Sequence, residues 1–361
     1  MSSKPRIGYA PCSTSFAHPG DYRRFAGYAS SRGLSFEVAR REEKYDLVVL
    51  TELADISIWR NYPHGKVVYD LVDSYLAIPR TDIKGCLRGI AKFVSRQNQR
   101  LQLSYWAAIR SMCRRSDAVV CTTAMQRTFI LPFCQNVHVV LDTHDAVVRD
   151  VKQDYKVGAP ISLVWEGLPS NINQLGKIRS VLRELSRRYQ LELNVVTDLE
   201  GFLFLDKFWK VPSTKIVRRV FDRTKVHAWD KNTCARIITE CDIAVIPIDL
   251  RNPLTVGKPE NKLILLWRMG MPVVTSATPA YTRAMDEAGM SLTCKDDVEW
   301  ETKLETLILS EEARRDAGNR GKEYVLRRFS EALIHDQWDA VFRSIGFDFA
   351  GESSRIAFGS N

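Results

Sequence analysis

DLRNPLTVGKPENKLILLWRMGMPVVTSATP, residues Asp249 to Pro279, places a loop with Gly257, Lys258 and Asn261 directly before an apolar helix and a buried strand. A helix starting near Pro259 or Glu260 leaves its first backbone N–H groups without intrahelical partners. Those groups carry the positive end of the helix dipole, and Lys258 and Lys262 flank them, so a phosphate or carboxylate is the natural ligand. The helix runs apolar through Leu263, Ile264, Leu266 and Trp267 and stops at Gly270. Met271 to Thr275 then reads as a short buried strand, which would gather ligand groups at the carboxyl edge of a parallel sheet.

The same alternation extends to both sides of this stretch. Arg6–Ala10, Leu34–Ala39, Asp46–Thr51, Lys66–Leu71, Ala118–Thr122 and Val137–Leu141 read as strands, several of them Val- and Leu-rich as buried parallel strands require. Helices are expected over Asp21–Arg32 and near Ala124–Leu131. A polar segment with Gly158 and Pro160, residues 150–160, suits an interdomain connection. Beyond it, strands at Ile161–Trp165, Leu191–Thr197 and Asp242–Ile248 alternate with helices at Asn173–Tyr189 and Thr233–Glu240. Two doubly wound α/β units are therefore expected, over 1–155 and 156–325. The tail over 326–361 is read as helix and terminus, and its apolar face of Trp338, Val341 and Phe342 needs a surface. Packing back on the first unit would supply one.

A chain of 361 residues with 45% hydrophobic and 26% charged residues is long enough for two ordinary cores. No run reaches the roughly 18 uncharged apolar residues of a membrane span, and MSSKPRIGYAPC has no signal-peptide core, so a cytoplasmic location is expected. The 8 cysteines form no C-x-x-C pair and read as reduced core residues. The six histidines have no i, i+4 partner, so a dedicated metal site is not expected. G-x-G-x-x-G and G-x-x-x-x-G-K-[ST] are both absent, which argues against nicotinamide, flavin and P-loop nucleotide chemistry.

The net charge of +9 is concentrated between Arg80 and Arg115, where Asp82 is the lone acid. Lys84, Arg88, Lys92, Arg96 and Arg100 recur every four residues and would fan across one helix face, with Leu87, Ile90, Ala91, Val94, Leu101, Tyr105 and Trp106 opposite. The row reads as a solvated face or as contact with anionic lipid at the inner face of a membrane. Aromatic residues are too sparse in the row to favour nucleic acid.

Val164-Trp165-Glu166-Gly167, Cys241 to Pro247 and Gly270-Met271-Pro272-Val273-Val274 resemble the donor domain of the GT-B glycosyltransferases. Ser116 to Thr123 and Val67 to Asp73 are similar to acceptor-domain segments of the retaining branch. The resemblance implies two Rossmann-like domains, a nucleotide-sugar donor as co-substrate with no further cofactor, and a C-terminal helix crossing back to the N-terminal domain. The Glu-x7-Glu pair of many retaining members is missing, because its positions hold Gly257 and Leu265 here. A family lysine is replaced by Ser170, Asn171 and Asn173, and Lys258-Pro259-Glu260-Asn261-Lys262 resembles a variant found among bacterial surface-polysaccharide glycosyltransferases.

On that resemblance, donor contacts are expected from Gly167, Ser170, Asn171, Lys258, Glu260, Asn261 and Lys262, with Glu260 as substitute for the missing ribose-gripping acid. Acceptor and catalytic contacts are expected from His18, Asp21 and Asp73, with Asp70, His144 and Asp145 as further candidates. The chemistry needs fixed cations for the leaving diphosphate, a held acceptor hydroxyl and, for inversion, a proton acceptor. The expected acceptor is a polysaccharide, an oligosaccharide or a lipid-linked glycan. A nucleotide-sugar 2-epimerase and a noncatalytic basic membrane-surface protein are the alternatives.

Overall fold

A computed structural model describes residues 4–78, 83–204 and 208–349, with side chains except at 83–87, 202–204, 208 and 209. Arg80, Asp82, the side chains of Lys84, Cys86 and Leu87, and the tail 350–361 lie outside the described residues. The chain forms two units, 1–143 with 331–361, and 144–330.

Unit 1 carries a six-stranded sheet in the order β2-β1-β3-β4-β5-β6, all neighbours parallel. Its strands are β1 (Ile7–Ala10), β2 (Glu37–Val38), β3 (Leu47–Thr51), β4 (Lys66–Asp70), β5 (Ala118–Cys121) and β6 (Val137–Val139). Every residue of β1, β3 and β5 is buried, as helices on both faces of a parallel sheet require. The expected helix over Asp21–Arg32 forms as two pieces, Pro19–Tyr22 and Phe25–Ser31. The C-terminal helix Glu331–Arg343 completes this core, with Trp338 and Phe342 against Phe25 and Tyr28 at ring separations of 5.4–6.3 Å. Tyr28 Oη and Arg32 both donate to the buried Asp339, at 2.7 and 2.5 Å.

Unit 2 carries a second six-stranded parallel sheet in a different order, β11-β8-β7-β12-β13-β14, with two strands outside its first strand where unit 1 has one. These strands are β7 (Ile161–Glu166), β8 (Leu191–Thr197), β11 (Thr224–Ala228), β12 (Ile243–Ile246), β13 (Val273–Ser276) and β14 (Thr293–Cys294). An antiparallel pair, β9 (Glu200–Phe204) with β10 (Phe208–Pro212), stands apart from this sheet. Asp242 locks β12 to β7 by accepting from the N–H and the hydroxyl of Ser162, both at 2.7 Å. The polar segment 150–160 belongs to this unit. Lys152 N donates to Met269 O at 2.8 Å, Lys152 Nζ to Cys241 O at 2.7 Å, and Tyr155 Oη to Gly270 O at 2.8 Å.

The helix that follows Lys258 and Glu260 spans Asn261–Arg268 and ends in Gly270, whose φ of 72° is left-handed. Gly318 and Gly321 of the helix Glu311–Arg328 let that helix lie directly on it. A Cβ at Gly318 would stand 2.4 Å from Gly270 O, and one at Gly321 2.3 Å from the Trp267 ring.

The basic row departs from the expected single helix face. The helix is broken into Ile83–Val94 and Tyr105–Arg115, and Arg96 turns the chain with a φ of 59°. Lys92 is buried and donates to Tyr105 Oη at 2.7 Å, while Arg88 lies 4.1 Å from the centre of the Tyr75 ring and donates to Tyr75 Oη at 2.7 Å. The two tyrosines draw these cations inward through cation–π and hydrogen-bond contacts. Ile90, Phe93 and Val94 are left exposed instead. Among the described residues no helix is long and apolar enough to cross a membrane. The cysteines with described side chains are free thiols, buried except for Cys12.

Candidate functional site

In unit 2 the loops after β7 and β12 meet at the carboxyl edge of the sheet. The chain leaves β7 at Glu166, turns at Gly167 and enters a 3-10 run over Pro169–Ile178 that carries Ser170 and Asn171. The loop after β12 is tied to that run, because Asp249 N donates to Gln174 Oε1 at 2.7 Å and Lys177 pairs with Asp249 at 2.8 Å. Asn252 then caps a short turn of helix, Pro253–Val256, accepting from Leu254 N at 3.0 Å. This brings Lys258 to Asn171, with Nζ 3.5 Å from Oδ1.

Lys262 is in the first turn of the helix Asn261–Arg268, whose N-cap, Glu260, makes no side-chain capping bond. Its ammonium donates to Glu166 O at 2.7 Å and sits 4.5 Å from the centre of the Trp165 ring. Gly167 is required for that placement, since a Cβ there would fall 2.1 Å from Lys262 Nζ. Burial pushes the Lys262 ammonium down to about 8; the Glu166 carboxylate opposes that shift and Lys258 adds to it. Gly167, Asn171, Lys258 and Lys262 are thus brought together. Asn261 opens the helix, and Ser170 is exposed on the adjoining run.

Glu260 is placed differently from the expected ribose contact. It is buried, and its carboxylate is ion-paired with Arg283 of the helix Pro279–Glu287. Burial raises its pKa, against the pull of Arg283.

In unit 1, Asp21 fastens the loop after β1. Its fully buried carboxylate accepts from Tyr9 Oη at 2.7 Å, Cys12 N at 2.8 Å and Ser13 N at 3.0 Å. His18, rather than Asp21, caps the short helix, with Nδ1 accepting from Gly20 N at 3.0 Å. Cys12, His18 and Asp21 present ligand atoms within 4.8 Å of one another. Burial and the nearby Asp21 charge push the Cys12 thiol up to about 12. Asp70 is a structural acid, doubly bonded to the buried Arg24 at 2.6 and 2.7 Å. His144 is buried, and Asp145 pairs with Arg268, both within unit 2.

Asp73 has a partner that sequence reasoning missed. Its N–H donates to Glu52 Oε2 at 2.9 Å, so the loops after β3 and β4 present two partly buried carboxylates side by side. The Glu52 carboxyl is raised above the ordinary carboxylate range by burial first and by repulsion from Asp73 second, with Lys92 opposing. Burial lowers the Lys92 ammonium to about 8, with Arg88 adding to the shift and Glu52 resisting it. The available signal was Glu52 directly following the apolar strand Leu47–Thr51, as Asp73 follows the next.

No protein-family profile matches the chain, and no curated protein matches it by sequence. Solved structures do match it by shape. Anabaena HepE, crystallised with UDP and glucose, superposes with a TM-score of 0.63 at 13% identity, covering 94% of this chain and 100% of its own. A glycosyltransferase from Rickettsia africae gives a TM-score of 0.57 at 12% identity over 94% of this chain and 97% of its own. A Staphylococcus aureus TarM variant, crystallised with fondaparinux, alpha-GlcNAc-glycerol and UDP, gives 0.57 at 10% identity over 83% of this chain; the chain spans only 55% of TarM. The two parallel sheets and their flanking helices have the GT-B fold of the glycosyltransferases.

Proposed function

We propose that the protein is a glycosyltransferase that takes a sugar from a nucleotide-sugar donor and passes it to a hydroxyl of a polysaccharide, oligosaccharide or lipid-linked glycan. The observation that carries this reading is the Lys262 ammonium, held beside Gly167 at the uncapped start of the helix Asn261–Arg268, with Lys258 next to it. Two cations and a helix N-terminus at one sheet edge match a diphosphate. HepE and TarM, which share the fold, were solved with UDP bound.

In the reaction, the bond from the anomeric carbon to the diphosphate oxygen breaks and a bond to the acceptor oxygen forms. Lys258, Lys262 and the N–H groups at Asn261 and Lys262 neutralise the charge that builds on the leaving diphosphate. Asn171 and Ser170 hold the donor through its hydroxyl or phosphate oxygens. On unit 1, Glu52 and Asp73 orient the acceptor hydroxyl and take up its proton, while Asp21 and His18 shape the loop beside them. A raised carboxyl suits proton transfer near neutrality. Sugar transfer is favoured over epimerisation because Glu260, at the start of the helix that carries Lys262, is ion-paired with Arg283.

Thermal unfolding of the full chain with UDP, GDP, CMP and dTDP tests the reading. A bound nucleotide at roughly a hundredfold its Kd adds about 2.7 kcal/mol, so at least one should raise Tm. A flat response to all four would remove the proposal.

A further inference from the structure

We infer that Ile90, Phe93, Val94, Leu101 and Leu103, edged by Arg96 and Arg100, form a docking surface for an anionic lipid bilayer. The helix Ile83–Val94 turns Arg88, Gly89 and Lys92 inward and Ile90, Phe93 and Val94 outward, a stripe at i, i+3 and i+4. Gly89 lets the following segment return against the helix, since a Cβ there would stand 2.0 Å from Gln102 O. Around that contact the chain alternates, with Gln102 buried and Leu101 and Leu103 exposed on either side of it. Asp55 and Ser57 hold the segment in place, accepting from Gln99 N at 2.7 Å and Arg100 N at 3.2 Å.

Large apolar side chains are thereby left in water, with Phe93 42%, Val94 67% and Leu103 76% exposed. An apolar patch of this kind marks a binding surface rather than a random exposed residue. Its charge selects the occupant. No acid lies between Asp82 and Asp117, and Arg96 and Arg100 are exposed beside the apolar groups. Apolar insertion combined with a basic rim is the combination that binds negatively charged headgroups. The surface is formed within unit 1 and does not depend on nucleotide binding, so either conclusion can fail alone.

Co-sedimentation of the full chain with vesicles of equal parts phosphatidylcholine and phosphatidylglycerol tests this, against vesicles of phosphatidylcholine alone. The chain should pellet with the anionic vesicles and remain largely in solution with the neutral ones. Phe93→Ser with Val94→Ser should weaken partition by roughly tenfold or more, because two exposed apolar groups are lost without disturbing the core. Leu103→Ser alone is the second variant, and unchanged Tm checks that each still folds. Arg96→Glu with Arg100→Glu should weaken binding and its salt sensitivity together. No pelleting with anionic vesicles, or undiminished pelleting of the serine variants, overturns the inference. A lipid-free dimer that the Phe93 and Val94 changes dissociate would overturn it in favour of a second copy of the chain.

Discussion

In unit 1 the loops after β1, β3 and β4 bring Asp21, Glu52, Asp70 and Asp73 to the carboxyl edge of the sheet; in unit 2 the loops after β7 and β12 bring Gly167, Asn171, Lys258 and Lys262 to the equivalent edge. Both sheets are six-stranded and parallel throughout, and parallel sheets collect ligands at this edge in either case. The difference is the sign of the charge and what it is bonded to. In unit 1, Asp21 occupies the N–H groups of Cys12 and Ser13 with its own carboxylate, and Asp70 is neutralised by Arg24. In unit 2, Glu260 makes no side-chain capping bond at the helix start, and Lys262 donates to a backbone carbonyl and lies over a ring face. On the proposed function, the first edge presents acids and the second presents cations to an anionic ligand.

Glu52→Gln should give the largest separation between the two edges. Transfer should fall roughly 100- to 10,000-fold, the usual value of a positioned base, while nucleotide affinity stays within about twofold. Comparable loss of both would place Glu52 at the nucleotide and erase the contrast. Lys262→Met should do the converse first to binding, weakening the nucleotide by about 10- to 100-fold in calorimetry, as expected for a charge-assisted bond. Gly167→Ala should follow with a smaller loss of affinity, of roughly tenfold, because its Cβ would displace Lys262 Nζ without removing the charge.

Titration sharpens the comparison further. Lys262 binds an anion as the ammonium and loses its proton near pH 8, so nucleotide affinity should decline as pH rises through about 8. The Lys262→Met variant should lack that step. The smallest effect concerns stability. The Glu52 carboxyl is raised in the folded protein, which then holds more protons than the unfolded chain above the ordinary glutamate range. Stability is therefore lost as pH rises from that range through the raised value. Glu52→Gln should flatten this slope and raise Tm slightly at neutral pH; a lower Tm would show that the charged form is the one the fold favours.

The parallel strands were legible because Leu47–Thr51 and Ile243–Ile246 are apolar on both faces, which few other arrangements allow. The helix start beside Lys258 was legible because Gly257 and Pro259 break the chain just before an apolar stripe. The Glu52 and Asp73 contact was not, since it depends on β3 and β4 being neighbours and on two loops closing over one another. Nor was the commitment of Glu260 to Arg283, a side-chain choice made across a turn and a strand. The basic row shows the limit of spacing as evidence. A four-residue period says which residues share a face but not which way it turns, and Tyr75 and Tyr105 reverse the expected direction. The pair β9 and β10 was missed because the stretch Glu200–Pro212 mixes charged and aromatic residues without clear alternation.

The direct test is calorimetric titration of the full chain with UDP and GDP, in parallel with Lys258→Ala, Lys262→Met and Glu52→Gln. Tight binding of one nucleotide, weakened by both lysine changes and untouched by the glutamate change, is the result expected if unit 2 holds the diphosphate. Binding that survives loss of both lysines, or that disappears with Glu52, would contradict the division of labour between the two sheet edges.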